Sequence, residues 1–241
     1  MMEKQTWLII GASSDVGVSY IRHLADKGTD GLTIYAHCNS RVSRFDEIKK
    51  DHPELDIKTL KADLKLKSDR ERLMDEVSGI APDRFVFLPA AGFEYMRLKD
   101  LDTVRLEEGF AVQAESFLML SSKVLPAMKK TGFGRVAVML TEYTTDDLPP
   151  KFMADYITAK YALLGAMKAC AAEYGGDKVK INGISPSMMD TSFINALDEK
   201  IKELNRMKAG RLLEPSDLFP VLDELLSAEC DKNGCNIRIT A

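Results

Sequence analysis

The chain has 241 residues, of which 45% are hydrophobic and 29% charged, with a formal net charge of −4 and a pI near 5.5. That length is long for an average domain but normal for one α/β domain with a large core. The negative charge and the even spread of Lys and Arg along the chain argue against nucleic acid or an anionic membrane as the main partner.

Cysteine usage and targeting signals indicate the compartment. The chain has four cysteines, and they do not have the spacing of metal ligands. They are Cys38, Cys170, Cys230 and Cys235. We expect free thiols and no metal site. The chain passes directly from Met1 to a strand-like run at 6–10, and no apolar stretch approaches about 18 residues, so we expect neither a signal peptide nor a membrane span. The expected location is the cytoplasm.

The first predicted strand, at 6–10, is a short apolar run of the kind that is buried on both faces of a sheet. A turn containing glycines follows at 11–17, and an amphipathic segment then continues to about Lys27. A strand, a glycine turn and a helix in this order place helix N-terminal amides against a pyrophosphate. The spacing differs from Gly-x-Gly-x-x-Gly, so a tight turn without a ligand is the alternative.

Strands and helices alternate along the rest of the chain. Further strands are predicted at 32–36, 57–62, 84–88, 134–141, 178–184 and 236–240. Further helices are predicted at 44–51, 68–78, 101–130, from near 153 to 174, 195–206 and 215–228. Ser68 and Glu71 have the spacing of a capping box for the 68–78 helix. Pro126 is expected to kink the 101–130 helix or to start a new turn in it.

This alternation predicts an α/β fold with a doubly wound, seven-stranded parallel sheet (Rossmann-like) in a single domain spanning 1–241. No internal repeat or linker divides the chain. Ligands bind such sheets at the carboxyl ends of the strands. The segments expected at that carboxyl edge are 11–17, 37–41, 63, 90–92, 141 and 186–191.

Tyr156 and Lys160 are four residues apart and fall on one face of the helix predicted after the 134–141 strand. An ammonium group near a phenol favours phenolate and lowers the pKa of the tyrosine from about 10. Such a phenol can give a proton to a carbonyl oxygen, or take one from an alcohol, near neutral pH. The same spacing occurs twice more in the chain, so the upstream strand and its terminal hydroxyl, Thr141, distinguish this pair.

Taken in order, these segments resemble the short-chain dehydrogenase/reductase family over essentially the whole chain, and within it the 3-oxoacyl-(acyl carrier protein) reductase-like members. The matching segments are the glycine turn at 11–17, the adenine-holding pair Asp63-Leu64, the motif end Ala90-Ala91-Gly92, the catalytic-helix residues Tyr156, Lys160 and Gly165, the strand-six segment 181–186, and the C-terminal blocks 209–215 and 233–239. The resemblance implies a nicotinamide dinucleotide and a small carbonyl or alcohol substrate at the carboxyl edge.

The turns at this edge and the catalytic helix supply the expected cofactor contacts. They are Gly11, Ser13, Ser14, Asp15, Val16, Gly17, Asn39, Ser40, Arg41, Asp63, Leu64, Ala90, Ala91, Gly92, Tyr156, Lys160, Pro186, Ser187, Met189 and Thr191. By the resemblance, Lys160 hydrogen-bonds the nicotinamide ribose, and Thr191 contacts the nicotinamide carboxamide or phosphates. A plain N-cap is the alternative for Thr191. The segment at about 187–212 matches the family's substrate lid.

The resemblance also implies the catalytic roles. Tyr156 is expected to protonate the substrate oxygen and Lys160 to tune Tyr156. Thr141 stands in place of the family's serine and is expected to orient the carbonyl, with Thr144 as the fallback and a strand-edge cap as the alternative. Gln113 falls where the family's helix asparagine helps hold a proton-relay water, or it simply sits inside the helix.

Several family positions are substituted in this chain. Asp15 occupies the middle glycine of the turn. An Asp can adopt the left-handed backbone that glycine allows, but its carboxylate would lie near a pyrophosphate. Pro89 and Ala90 replace two asparagines, and Ser187 replaces a glycine. Because of these substitutions, a second interpretation stands beside the enzyme. In it the chain is a catalytically silent member of the family that binds a dinucleotide, or only a partner, for regulation or scaffolding.

The expected function is NAD(P)H-dependent reduction of a ketone, 3-oxoacyl thioester-like, to a secondary alcohol, or the reverse oxidation. A sugar or polyketide ketoreductase of the same family is the alternative among enzymes. The turn after the second strand offers no carboxylate, and Asn39, Ser40 and Arg41 can contact a 2′-phosphate. We therefore expect NADP(H) to be favoured over NAD(H).

A homo-oligomer, either a dimer or a tetramer, is also expected. Helices within 104–128 and 156–174 correspond to those that pair in this family's tetramers. Leu118, Leu125, Leu163 and Met167 fit the paired face, although the sheet is an alternative place for them.

Overall fold

The computed structural model of the chain describes residues 4–92, 94–145 and 148–241. These residues form a seven-stranded sheet with the order β3-β2-β1-β4-β5-β6-β7, in which all neighbouring strands are parallel. The strands are β1 (Gln5–Ile10), β2 (Leu32–Cys38), β3 (Asp56–Lys61), β4 (Arg84–Phe87), β5 (Gly134–Met139), β6 (Val179–Pro186) and β7 (Asn236–Ile239). The predicted doubly wound Rossmann-like fold is confirmed.

Helices cover both faces of this sheet. They are α1 (Asp15–Lys27), α2 (Ser43–Asp51), α3 (Lys67–Ser78), α4 (Thr103–Phe110), α5 (Ser116–Thr131), α6 (Ala154–Tyr174), α7 (Glu199–Ala209) and α8 (Phe219–Leu226). In β1, Ile9 joins a core cluster with residues of α1, α2 and α8, whereas Leu8 and Ile10 join a second cluster with residues of α3, α5 and α6. Burial on both faces explains why this strand is apolar at consecutive positions.

The predicted helix at 101–130 is divided in the structure. A π-helical turn at Ala111–Glu115 separates α4 from α5, and the hydroxyl of Ser116 donates to the carbonyl of Ala111 at 2.6 Å. Pro126 lies inside α5, which continues to Thr131. The interruption therefore comes from the π turn, and Pro126 does not end the helix. The kink expected at Pro126 stays a prediction.

The predicted capping box is also wrong. The helix α3 begins at Lys67, and no side chain caps its first turn. The carboxylate of Asp69 instead accepts a hydrogen bond from the backbone N–H of Asp63 at 2.7 Å. This hydrogen bond orders the turn after β3, which lies at the carboxyl edge.

The segment after β6 contains a 3₁₀ turn before its helix. The turn covers Ser192–Ile194, and α7 starts at Glu199, later than the predicted start at 195. The carboxylate of Asp198 caps α7 by accepting from the backbone N–H of Lys200 at 2.8 Å. Similarly, the predicted 215–228 helix is a 3₁₀ turn at Pro215–Leu218 followed by the shorter α8.

The face expected for helix pairing between subunits is only partly available. Leu125, Leu163 and Met167 are fully buried in the core between the sheet and the helices α5 and α6. For these three residues the alternative, packing against the sheet, is correct. Leu118 is 46% exposed and remains on the outer face of α5.

Among the described residues, no helix has the length and apolarity needed to cross a bilayer, and no three His, Cys, Asp or Glu side chains cluster as metal ligands would.

Candidate active site

A cleft of about 520 Å³ lies at the carboxyl edge of the sheet and is lined by the segments that follow β1 to β6. It takes in all of the predicted cofactor contacts except Gly17, which is buried beneath the turn. Of the four predicted catalytic residues, Thr141, Tyr156 and Lys160 line the cleft. The topology thus brings together residues that are far apart in sequence.

Two glycines shape the turn between β1 and α1. Gly11 has a φ of +77°, and a Cβ there would lie 3.2 Å from the backbone nitrogen of Pro89. A Cβ on Gly17 would lie 2.4 Å from the carbonyl oxygen of Ala12, so a side chain there would force the turn open. Ser14 caps α1, its hydroxyl accepting from the backbone N–H of Gly17 at 3.1 Å.

Asp15 does not use the left-handed backbone that a glycine would allow at this position. Among the described non-glycine residues only Phe152 has a positive φ, and Asp15 is the first residue of α1. Its carboxylate accepts hydrogen bonds from Arg44 at 2.7 Å and from the backbone N–H of Ser192 at 2.6 Å. Burial alone would raise the pKa of Asp15, but the hydrogen bonds from Ser192 and Arg44 outweigh it and hold the pKa below its usual value.

His37 holds the floor of the cleft, a role that sequence analysis missed. Its Nδ1 accepts from the backbone N–H of Gly11 at 3.1 Å, and its Nε2 lies 3.1 Å from the carbonyl oxygen of Ala62. Because a carbonyl only accepts, the hydrogen must be on Nε2, so the ring is the neutral tautomer. Burial lowers the pKa of His37 to about 4. Its place at the end of β2 was the one signal in the sequence.

The turn after β2 carries an arginine side chain at the edge of the cleft. Asn39, Ser40 and Arg41 are exposed and line the cleft. Within the described part of the chain, Arg41 has no hydrogen-bonding or ion-pair partner. Arg44, one helical turn further on, is already bonded to Asp15 and to the carbonyl of Ser13.

Tyr156, Lys160 and Thr141 lie together in the cleft. The side chain of Lys160 is 1% exposed, and its Nζ donates to the carbonyl oxygen of Met139 at 2.9 Å. The same Nζ lies 5.9 Å from the centre of the Tyr156 ring. The hydroxyl of Thr141 hydrogen-bonds the Tyr156 side chain.

The predicted direction of the tyrosine pKa shift is wrong. Burial raises the pKa of Tyr156 to about 12, despite the opposing hydrogen bond from Thr141. Burial also lowers the pKa of Lys160 to about 7, so its amino group is only partly charged at neutral pH. Desolvation disfavours the charged form of both groups, and it outweighs the attraction expected between ammonium and phenolate.

Two other candidate residues do not line the cleft. The hydroxyl of Thr144 is buried between Ser185, at 3.0 Å, and the side-chain amide of Asn236, at 3.1 Å. That position rules out Thr144 as the substitute for Thr141. Gln113 is fully buried in the π turn, where its amide nitrogen lies 3.5 Å from the carbonyl oxygen of Gly109 and its Oε1 has no partner among the described residues.

The segment expected to form the lid, 187–212, contributes apolar side chains to the end of the cleft that holds Tyr156. The Phe193 ring centre lies 6.4 Å from that of Tyr156, and Met188 lines the same cleft. Met189 pairs with Leu213 in a short parallel bridge at the base of the lid. Thr191 lines the cleft, and its side chain does not cap the 3₁₀ turn that follows it.

Comparisons with known proteins agree with this geometry. A family model described as short chain dehydrogenase matches residues 5–202. The uncharacterized oxidoreductase YmfI of Bacillus subtilis (strain 168) is 23% identical over 225 residues, covering 92% of this chain and 91% of the relative. The 3-oxoacyl-(acyl-carrier-protein) reductase FabG of Aggregatibacter actinomycetemcomitans is 24% identical over 235 residues, also covering 92% and 91%.

A solved structure of L-sorbose reductase from Gluconobacter frateurii, complexed with NADPH and L-sorbose, superposes on the chain with a TM-score of 0.81. The two are 17% identical, and the match covers 98% of this chain and 95% of that one. At this identity the likeness shows the fold alone.

Acid titration tests the neutral state of His37. The pKa of His37 is about 4 in the folded chain against 6.5 for an unperturbed histidine, so the unfolded chain binds its proton first. We expect this group to stabilise the fold fully above about pH 6.5 and to lose that contribution as the pH falls towards 4, by at most about 1.4 kcal/mol per pH unit. His37→Gln, which does not titrate there, should show a shallower loss in urea unfolding between pH 7 and 4.5. Equal losses in both proteins would contradict the assignment.

Proposed function

The chain belongs to the short-chain dehydrogenase family, and from that premise we propose that it uses NADP(H) to reduce a ketone to a secondary alcohol. The observation that carries the proposal is the meeting of Tyr156, Lys160 and Thr141 in one cleft. The volume of the cleft, about 520 Å³, is within the usual range for small-molecule sites, about 300–1,000 Å³.

The residues at the other end of the cleft fit a dinucleotide. Gly11 allows the tight turn, and the N-terminus of α1 offers partial positive charge to a pyrophosphate. Arg41 lines the cleft without a partner in the described residues, so its planar guanidinium is free for a 2′-phosphate. Asp63 and Leu64 line the cleft where the adenine is expected. When bound, the nicotinamide dinucleotide supplies the hydride.

Tyr156 is the proposed proton donor. A pKa of about 12 keeps its phenol protonated at neutral pH, as reduction of a carbonyl requires. Thr141, hydrogen-bonded to Tyr156, is proposed to hold the same carbonyl oxygen. Once Tyr156 has given up its proton, the phenolate favours the ammonium form of Lys160, whose pKa of about 7 lets it take up a proton readily.

Gln113 is proposed to hold a water that helps resupply this proton. Its Oε1 is buried in the π turn without a partner among the described residues. A buried acceptor left unpaired is costly, and a water is the usual way to satisfy it. A purely structural role inside the helix remains the alternative.

The surroundings of the cleft favour an apolar ketone over a sugar. Apolar side chains of the proposed lid and of the residue before α6 line the cleft, namely Met153, Met188, Phe193 and Ile194. A polyol would lose its hydration against such surfaces without gaining hydrogen bonds. An acyl chain gains free energy there, since apolar burial contributes about 25 cal/mol per Å². We therefore propose a 3-oxoacyl thioester-like substrate.

An NADPH oxidation assay across β-ketoacyl thioesters, ketosugars and quinones tests this function. We expect turnover with the thioesters to exceed turnover with the ketosugars. Faster turnover of a ketosugar would favour the sugar reductase. Tight NADPH binding with no turnover of any carbonyl compound would favour the catalytically silent member that the substituted family positions keep open.

Removal of the Tyr156 hydroxyl tests the proton donor. Tyr156→Phe keeps the ring, so we expect cofactor binding to be nearly unchanged and kcat to fall well below a tenth of the wild-type value. A tenfold loss corresponds to about 1.4 kcal/mol. Tyr161→Phe, on the same helix with its hydroxyl on the carbonyl of Tyr143, is the matched control and should stay within about twofold. A kcat above a tenth in Tyr156→Phe would exclude this role.

Cofactor choice is tested at Arg41. Charge-assisted contacts contribute about 1.5–3 kcal/mol, so NADPH should bind at least about tenfold tighter than NADH. Arg41→Ala should remove most of that difference without weakening NADH, whereas Arg22→Ala, on the exposed side of α1, should leave it. Fluorescence titration of the bound nicotinamide measures both constants. Equal affinities in the unmodified protein would overturn the NADP(H) assignment.

We also propose that the chain forms a dimer or tetramer through the outer faces of α5 and α6. Leu118 and Tyr161 are exposed there, and so is Gly165, where a Cβ would meet nothing within 4 Å. A second copy would cover these apolar and small residues. Light scattering at micromolar concentration should give a dimer or tetramer, and a monomer would refute the proposal.

A further inference from the structure

Three segments of the chain meet at the carboxylate of Asp15. Asp15 begins α1, Arg44 belongs to the first turn of α2, and Ser192 begins the 3₁₀ turn of the lid. One carboxylate oxygen accepts from Arg44 Nη2 at 2.7 Å, and the other accepts from the backbone N–H of Ser192 at 2.6 Å. Arg44 Nη1 also donates to the carbonyl oxygen of Ser13 at 2.8 Å. We call this set of contacts the Asp15 clasp.

The clasp joins opposite sides of the cleft. Both Asp15 and Ser192 line it, and they are 177 positions apart in the chain. The base of the lid is fixed separately, by the backbone N–H of Asp190 donating to Leu213 at 2.8 Å. Beyond that base, the clasp is a polar contact from the lid to the glycine turn. It therefore closes the lid over the part of the cleft next to the N-terminus of α1.

The charges in the clasp favour its closed form. The Asp15 side chain is only 21% exposed, and its pKa lies below the usual value despite burial, so it is ionised at neutral pH. Hydrogen bonds to a charged acceptor are stronger than neutral ones. Arg44 balances the carboxylate, so that the glycine turn does not present an unpaired negative charge to an anionic ligand.

We propose that Asp15 is a positioning residue that holds the lid closed across the cleft and thereby slows cofactor release. The inference rests on the proposed dinucleotide site, since it concerns the ligand that would lie under the clasp. A glycine at position 15 would leave the N–H of Ser192 without this acceptor. The clasp must open each time the cofactor exchanges.

Hydrogen exchange without any cofactor tests whether the clasp closes the lid. Asp15→Ala should raise amide exchange at Ser192 and in the adjoining lid, while α1 and α2 keep their protection. Asp51→Ala is the matched control, because it removes the 2.8 Å ion pair of Arg22 and Asp51 between the same two helices without touching the lid. Unchanged exchange at Ser192 in Asp15→Ala, or an equal rise throughout α1 and α2, would contradict the proposal that the clasp holds the lid closed.

Stopped-flow dissociation of NADPH tests the consequence. Asp15→Ala should raise the dissociation rate at least about tenfold, and Asp51→Ala should stay within about twofold of the unmodified protein. Asp15→Asn keeps an acceptor for Ser192 but loses the charge, so an intermediate rate is expected, and it serves if Asp15→Ala does not fold. Unchanged dissociation in Asp15→Asn and Asp15→Ala would refute control of release. Failure of the unmodified protein to bind NADPH would instead refute the proposed function, and the exchange experiment would still decide the clasp.

Discussion

The buried amino group of Lys160 is the constraint on which the candidate site depends. It lies inside the protein and donates at 2.9 Å to the carbonyl of Met139, the last residue of β5. No carboxylate of the described residues forms an ion pair with it. Burying a charge without an anion is costly, so the pKa falls to about 7. Because a strand end supplies its acceptor, the sheet itself fixes the amino group beside Tyr156. The placement of Lys160 next to Tyr156 is therefore a property of the fold.

The sheet could be predicted from sequence because its strands are buried on both faces, which makes short apolar runs easy to locate. Helix ends were less predictable, because side-chain hydrogen bonds outside the capping spacing decide them. Asp69 bonds the turn after β3 instead of supporting a cap at Ser68, and Ser116 satisfies a carbonyl of the π turn. The capping-box pattern and the helix periodicity contain no information about those hydrogen-bond partners.

Position along the chain was enough to nominate Tyr156, Lys160 and Thr141, since each follows from the order of strands and turns. The roles of the remaining residues depend on three-dimensional surroundings. Thr144 was the fallback for Thr141 in the sequence, and the packing of Thr144 against β6 and β7 excludes it. His37 gives no sequence signal of its bond to Gly11, because the two residues lie in different strand–turn units.

The burial that made the predicted tyrosine pKa wrong also strengthens the proposed chemistry. The substrate of a carbonyl reduction is neutral, and negative charge develops on its oxygen only during the reaction. In apolar surroundings, hydrogen bonds from Tyr156 and Thr141 to that oxygen are worth more than they would be in water. The nearby carboxylate of Glu142 is paired with Arg238 at 3.0 Å, which limits its repulsion of the developing charge. Low polarity around Lys160 thus reduces the charge of the resting amino group, and the two hydrogen bonds would stabilise the charge that the proposed reaction creates.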